Sequence, residues 1–105
     1  MTNQEIYKKI FELKKDSIPV CLSTIVHTSG STPRKPGAKM IILADGSTYG
    51  TVGGGCGESQ VISAALRCLL TTRAPEVIEV SLLDDMGIKD GDVCGGKMLL
   101  FVEPV

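Results

Sequence analysis

A chain of 105 residues, 43% hydrophobic and 22% charged with a formal net charge of −1, has the make-up of one globular domain with a substantial core. It has no charge excess to draw in nucleic acid, and with no Trp, two Tyr and two Phe it has little to stack on bases. No apolar run is long enough to cross a bilayer, so neither nucleic acid nor a membrane is an expected partner.

The first five residues, Met1 to Glu5, are polar and lack the apolar centre of a secretion signal. The expected setting is the cytoplasm, with Cys21, Cys56, Cys68 and Cys94 as reduced thiols. No Cys-x-x-Cys pair occurs and His27 is the one histidine, which argues against a tetrahedral zinc site.

Thr2 and Glu5 fit a capping box, and Ile6, Ile10 and Leu13 then recur at helical spacing. A helix is predicted from about Gln4 to Asp16, stopped by Ser17-Ile18-Pro19. Val20 to His27 is β-branched and apolar on both faces, the pattern of a central strand with Cys21 as a small buried hydrophobe. His27 at its end reads as a surface or hydrogen-bonded side chain. Thr28 to Gly37 is a loop by its prolines, glycines and hydroxyls. Ala38–Leu43 and Ser47–Val52 are strands joined by a tight Asp45-Gly46 turn.

Five of the twelve glycines fall between Gly50 and Gly57, around Cys56. A helix is predicted over Ser59–Arg73, with Val61, Ala65, Cys68 and Leu69 on a wide apolar face that packs on a sheet. Val77–Leu83 and Lys97–Glu103 complete five strands. Between them, the aspartates of Asp84 to Gly96 do not reproduce a calcium loop and read as solvated charges. The expected fold is α+β: two helices packed on a mixed β-sheet of about five strands, one domain over residues 1–105.

Three loops carry the candidate chemistry: Pro33-Arg34, Gly53-Gly54-Gly55-Cys56, and Cys94-Gly95-Gly96. If they share a sheet edge they form one pocket, rimmed by Arg34 and Lys35 and floored by backbone N–H groups, suited to a small anion. The glycines miss both the P-loop and the G-x-G-x-x-G spacing, and Glu58 in the first helical turn repels an anion there. Phosphate binding and a close-packed strand-to-helix turn both remain open readings of this loop. A thiol beside a helix N-terminus and a basic loop is lowered in pKa, which marks Cys56, while Cys94 is accessible by composition.

At these residues the sequence resembles the XdhC/CoxI family of xanthine dehydrogenase accessory factors. The resemblance is carried by Gly30-Ser31-Thr32-Pro33-Arg34-Lys35-Pro36-Gly37-Ala38-Lys39-Met40, Asp45-Gly46-Ser47, Gly50-Thr51-Val52-Gly53-Gly54-Gly55-Cys56 with Glu58, and Cys94-Gly95-Gly96, in family order. It implies a non-catalytic chaperone that binds the molybdenum cofactor, assists its sulfuration and hands it to a molybdenum hydroxylase. A cysteine desulfurase is the implied sulfur source, and a homo-oligomer the expected state. The implied cofactor-binding residues are Pro33, Arg34, Gly53, Gly54, Gly55, Cys56, Glu58, Cys94, Gly95 and Gly96, with Cys56 as the molybdenum or sulfur ligand. Members commonly carry a second, Rossmann-like domain, so this chain is expected to be the N-terminal module alone. Gly57 stands where a larger apolar residue is expected, which loosens the helix start. Two other functions compete: a small thiol-dependent redox protein using Cys56 and Cys94, and a ligand-free assembly module for a separate Rossmann-like chain.

Overall fold

Strand β1 (Val20–Ser29) lies in the middle of the sheet because its residues bury on both faces. The computed structural model describes residues 1–82 and 95–105, with Cys56 described by its backbone alone. The chain runs α1 (Asn3–Lys15), β1, β2 (Lys39–Leu43), β3 (Thr48–Gly50), α2 (Gly55–Arg67), β4 (Glu76–Ser81) and β5 (Lys97–Pro104). The sheet order is β3-β2-β1-β5-β4. The α+β class, two helices and five strands agree with the sequence. The expected mixed sheet is corrected: every ladder is antiparallel, and the parallel pairing among the described residues is one isolated bridge, Ser31 with Gly95.

Helix α1 begins as the sequence dictates. The Thr2 hydroxyl accepts the Glu5 N–H at 3.1 Å, and Glu5 Oε1 accepts the Thr2 N–H at 2.7 Å. Those bonds to Thr2 hold the Glu5 carboxyl below its ordinary range. Ile6 and Leu13 are buried from this helix against Val20, Leu22 and Ile41. The hairpin also forms as predicted: Gly46 N–H reaches the Leu43 carbonyl at 2.9 Å, and Asp45 Oδ1 accepts from the Ser47 N–H and hydroxyl.

The second helix differs more. Its start moves back from Ser59 to Gly55, so Gly55 and Gly57 are helical and the true loop is shorter. Gly57 does not loosen the turn. It is buried on the sheet side, where an added Cβ would stand 3.0 Å from Leu82 Cδ2 and 3.5 Å from Val80 Cγ1, so a larger residue would enter only if the Leu82 side chain shifted. At its other end α2 runs into a π-helical turn, Cys68–Thr72, closed by Arg73 at φ 56°. Predicted strand 3 shortens from Ser47–Val52 to Thr48–Gly50, because the positive φ of Gly50, 83°, turns the chain away after its pairing with Met40.

The larger core lies between α2 and one sheet face. It joins Cys21 and Ile25 of β1, Met40 and Ile42 of β2, Val61, Ala65 and Cys68 of α2, and Met98, Leu100 and Val102 of β5. Cys21 and Cys68 are therefore the small buried hydrophobes that the sequence suggests. No described helix is long and apolar enough to cross a membrane.

Burial, followed by the neighbouring Cys68 thiol, pushes the Cys21 thiol up to about 12. A thiol whose folded value lies above its unfolded value of about 8.5 stabilises the fold below that pH and loses this contribution as pH rises through the folded value. Melting temperature should therefore fall between about pH 9 and pH 12 more steeply in the unmodified chain than in Cys21→Ala, as a pH series of thermal melts would read. In the same native chain, iodoacetamide at pH 8 should leave Cys21 and Cys68 unmodified and label both after denaturation, as peptide mass spectrometry would report.

Candidate functional site

The parallel bridge Ser31–Gly95 joins the first and third candidate loops at one end of the sheet. The approach there is backbone on backbone. A Cβ on Gly96 would fall 2.1 Å from the Ser31 carbonyl oxygen, far inside contact distance, so only glycine fits. The Gly96 carbonyl also accepts the Leu82 N–H at 2.8 Å, which ties this point to the end of β4.

The second loop is fastened to the first by packing and by a hydrogen bond. Gly53, at φ 132°, faces Pro33 so closely that an added Cβ would lie 2.3 Å from the ring. Arg34 Nη1 donates to the Thr51 carbonyl at 2.9 Å. Thr32 Oγ1 in turn donates to the Arg34 carbonyl at 3.0 Å and stiffens the loop that presents the arginine. The described parts of all three candidate loops thus meet in one place.

Within the glycine turn the polar groups are already matched. Thr51 Oγ1 accepts the Gly53 N–H at 2.9 Å and donates to Glu58 Oε2 at 2.5 Å. The same carboxylate oxygen accepts the Gly54 N–H at 3.1 Å. Gly54 is the residue before helix α2 and has no side chain to cap it, so Glu58 reaches back from the first turn in its place. This corrects the expected pocket floor: the N–H groups of Gly53 and Gly54 point to Thr51 and Glu58. The negative charge that a helix N-terminus favours is supplied by the chain itself.

What the turn leaves open is surface. Gly54 and Gly55 are exposed, and a Cβ on either would meet nothing within 4 Å. Their glycines answer to backbone conformation, at φ 82° and 65°, and leave bare main chain facing solvent. Beside it, Asn3, Pro33, Arg34, Lys35, Pro36, Gly37 and Ala38 line a shallow depression. Asn3 Nδ2 donates to the Gly37 carbonyl at 3.1 Å, so the start of α1 anchors the far rim.

Pro33, Arg34, Gly53, Gly54, Gly55, Glu58, Gly95 and Gly96 are accordingly gathered at one end of the domain. The side chain of Cys56 and all of Cys94 lie outside the described residues; the Cys56 backbone is in the first turn of α2. His27 is remote from this cluster in role, being exposed beside Ser29, Glu79 and Lys97 on the sheet. Two residues outside the candidate site set help to hold the site together: Ser31, through its bridge, and Thr51, through its hydroxyl. For Thr51 the signal was present, since a hydroxyl two residues before a turn glycine is the pattern of a side-chain-to-backbone turn. For Ser31 nothing local marks the pairing.

Fold and loop cluster define an α+β domain built around a glycine-rich strand-to-helix turn. The XdhC and CoxI family model matches residues 13–81, well over half of the chain, and the chain belongs to that family. It is 35% identical over 97 residues to Escherichia coli (strain K12) YqeB, an uncharacterized protein, a match covering 92% of this chain and 18% of the relative. It is also similar to a crystal structure from Bacillus halodurans described as a xanthine dehydrogenase, at 28% identity and a TM-score of 0.81, over 100% of this chain and 31% of that one. The chain thus spans less than a third of either relative.

Replacing Gly96 by Ala should lower stability by about 1–3 kcal/mol through overpacking against Ser31, or several degrees in melting temperature for a domain of this size. Glu58→Ala should loosen the glycine turn, seen as faster amide exchange at Gly53 and Gly54, while Glu58→Gln should keep most of the protection.

Proposed function

We propose that this domain is an accessory module for a xanthine dehydrogenase-type molybdenum hydroxylase, binding the molybdenum cofactor at the three-loop junction. There it assists sulfuration of the cofactor and its insertion into the target enzyme. Binding and delivery, without turnover, is the role. A cysteine desulfurase is the partner that supplies sulfur, and the hydroxylase is the recipient. Family membership supports the accessory role, as does the likeness to a protein described as a xanthine dehydrogenase.

The single observation that carries the site is the meeting of Ser31 with Gly95, Gly53 with Pro33, and Arg34 with Thr51. Residues far apart in the chain are held there to close tolerance around exposed glycine main chain. The fit to the cofactor is one of shape and charge. Bare backbone at Gly54 and Gly55 lets a flat ring system approach closely, and the cations of Arg34 and Lys35 flank it. Glu58 already occupies the anion position of α2, so the cofactor's phosphate is assigned to the Arg34–Lys35 rim and not to the helix N-terminus. Cys56, whose backbone stands in the first helical turn, is the proposed soft ligand or sulfur-handling position. When bound, the group would supply the molybdenum–sulfur chemistry; the chain binds, orients and shields it.

The test is anaerobic titration of the chain with isolated molybdenum cofactor, read by fluorescence. Saturable binding is expected. Arg34→Ala should weaken it by about tenfold or more, the loss of a charge-assisted contact. Cys56→Ala should fail to protect the terminal sulfur from exchange. Absence of binding to the unmutated chain would overturn the proposal.

A further inference from the structure

Among the described residues, the second face of the sheet is only half covered. Helix α1 packs over β1 and β2 through Ile6, Leu13, Val20, Leu22 and Ile41. One edge of α1 looks toward β3, where Lys9 Nζ sits 4.6 Å from the Tyr49 ring. Its other edge looks toward β5. Tyr7 lies 5.7 Å from Lys39 Nζ, which donates to Thr24 Oγ1 at 3.1 Å, and Thr24 pairs with Phe101 of β5. Beyond that edge the register sets Val77, Phe101 and Thr24 in one row and Glu79, Leu99 and His27 in the next. These rows lie on the face opposite α2.

The apolar residues here are open to solvent. Val77 is 59% exposed, Val26, in the bulge of β1, 49%, and on the α1 wall Tyr7 is 53% and Phe11 66% exposed. Phe101 and Leu99 between them are half-buried. Five strands at about 4.8 Å spacing make a face about 20 Å across, and a helix with its side chains is about 10 Å wide. One helix therefore covers half of this face, and the described residues leave a trough about one helix wide beside α1, walled by Tyr7 and Phe11 and floored by Phe101, Leu99 and Val77.

Charge selects the occupant. Lys15 Nζ lies 5.8 Å from the Phe11 ring, and Lys39 stands at the foot of the same wall. Among the described residues neither has a carboxylate within ion-pair distance. Across the trough Lys97 and Glu79 satisfy each other at 3.6 Å. Among the described residues, Glu103, half-buried in the row of Leu22, is the remaining acid on this face. The α1 rim is thus basic. A second copy of the chain offers no acid to answer it there: the outer face of α2 presents Ser59, Ser63 and Arg67, followed by exposed Leu70 in the π-helical turn, and the exposed aromatics of α1 lie among lysines.

We propose that this trough docks an amphipathic helix of a partner protein, with an aliphatic stripe on Phe101, Leu99 and Val77 and acidic residues toward Lys15 and Lys39. The surface lies on the sheet face, apart from the three-loop junction, so the proposal stands or falls independently of cofactor binding.

The probe is a pair of stapled peptides sharing a leucine stripe at i, i+3, i+4 and i+7, one flanked by glutamates and the other by lysines. The glutamate peptide should bind at least about tenfold tighter at low salt. Its amide shift changes should map to β4, β5 and the Tyr7–Phe11 edge of α1. Phe11→Glu and Val77→Glu, both at solvent-exposed positions, should each weaken it about tenfold or more while leaving the rest of the spectrum unchanged. Equal affinity for the two peptides, no binding, or shifts confined to the three-loop end would overturn the proposal. Self-association of the chain that Phe11→Glu abolishes, seen by sedimentation, would overturn it in favour of a second copy.

Discussion

The structure depends on β1 being held on all four sides. Antiparallel partners flank it at both edges, the α2 core lies on one face, and α1 covers its first half on the other. Only a strand apolar on both faces can occupy that position, because each outward-facing polar group would otherwise lose its water. Ser23 shows the tolerance of the arrangement: it is fully buried among these apolar residues, and its hydroxyl has no hydrogen-bond partner among the described residues. The loop that leaves β1 is positioned by the same strand, and through Ser31 it meets the loop that leads into β5.

That geometry explains why the candidate site lies at one end of the sheet. β1 and β5 are antiparallel neighbours, so the chain leaving β1 and the chain entering β5 share one edge. The glycine turn reaches the same edge from β3, drawn in by Arg34 on Thr51 and by Pro33 on Gly53. Close backbone approach is what the glycines supply: at Gly96 against Ser31 and at Gly53 against Pro33 a side chain would occupy space already filled. At Gly54 and Gly55 the reason is different, since their surroundings are open and backbone conformation alone requires glycine.

Glu58 ties the glycine turn to the start of α2. Its carboxylate satisfies the Gly54 N–H and the Thr51 hydroxyl, so the turn is ordered without a ligand. A site ordered in advance has less conformational entropy to lose when it binds. It also places a negative charge at the N-terminus of α2, the position that an anion would otherwise favour. The repulsion expected at Glu58 is thus one side of an internal cap.

By itself the sequence determined the elements and their faces. The Thr2–Glu5 capping box, the Asp45-Gly46 hairpin, the two-sided apolar run of β1 and the buried identities of Cys21 and Cys68 are local or periodic patterns, and each survives in the fold. The glycine-rich segments and their family pattern were legible for the same reason: a need for missing side chains is written in single residues. Tertiary structure decided the rest. That all ladders are antiparallel follows from strand order, which no local signal encodes. That α2 begins at Gly55 follows from Glu58 reaching back to Gly54, and the tight fit at Gly57 comes from Val80 of β4 and Leu82 just beyond it. The convergence of Ser31 with Gly95 and of Gly53 with Pro33 joins residues tens of positions apart, and only packing of the whole domain brings such residues into contact.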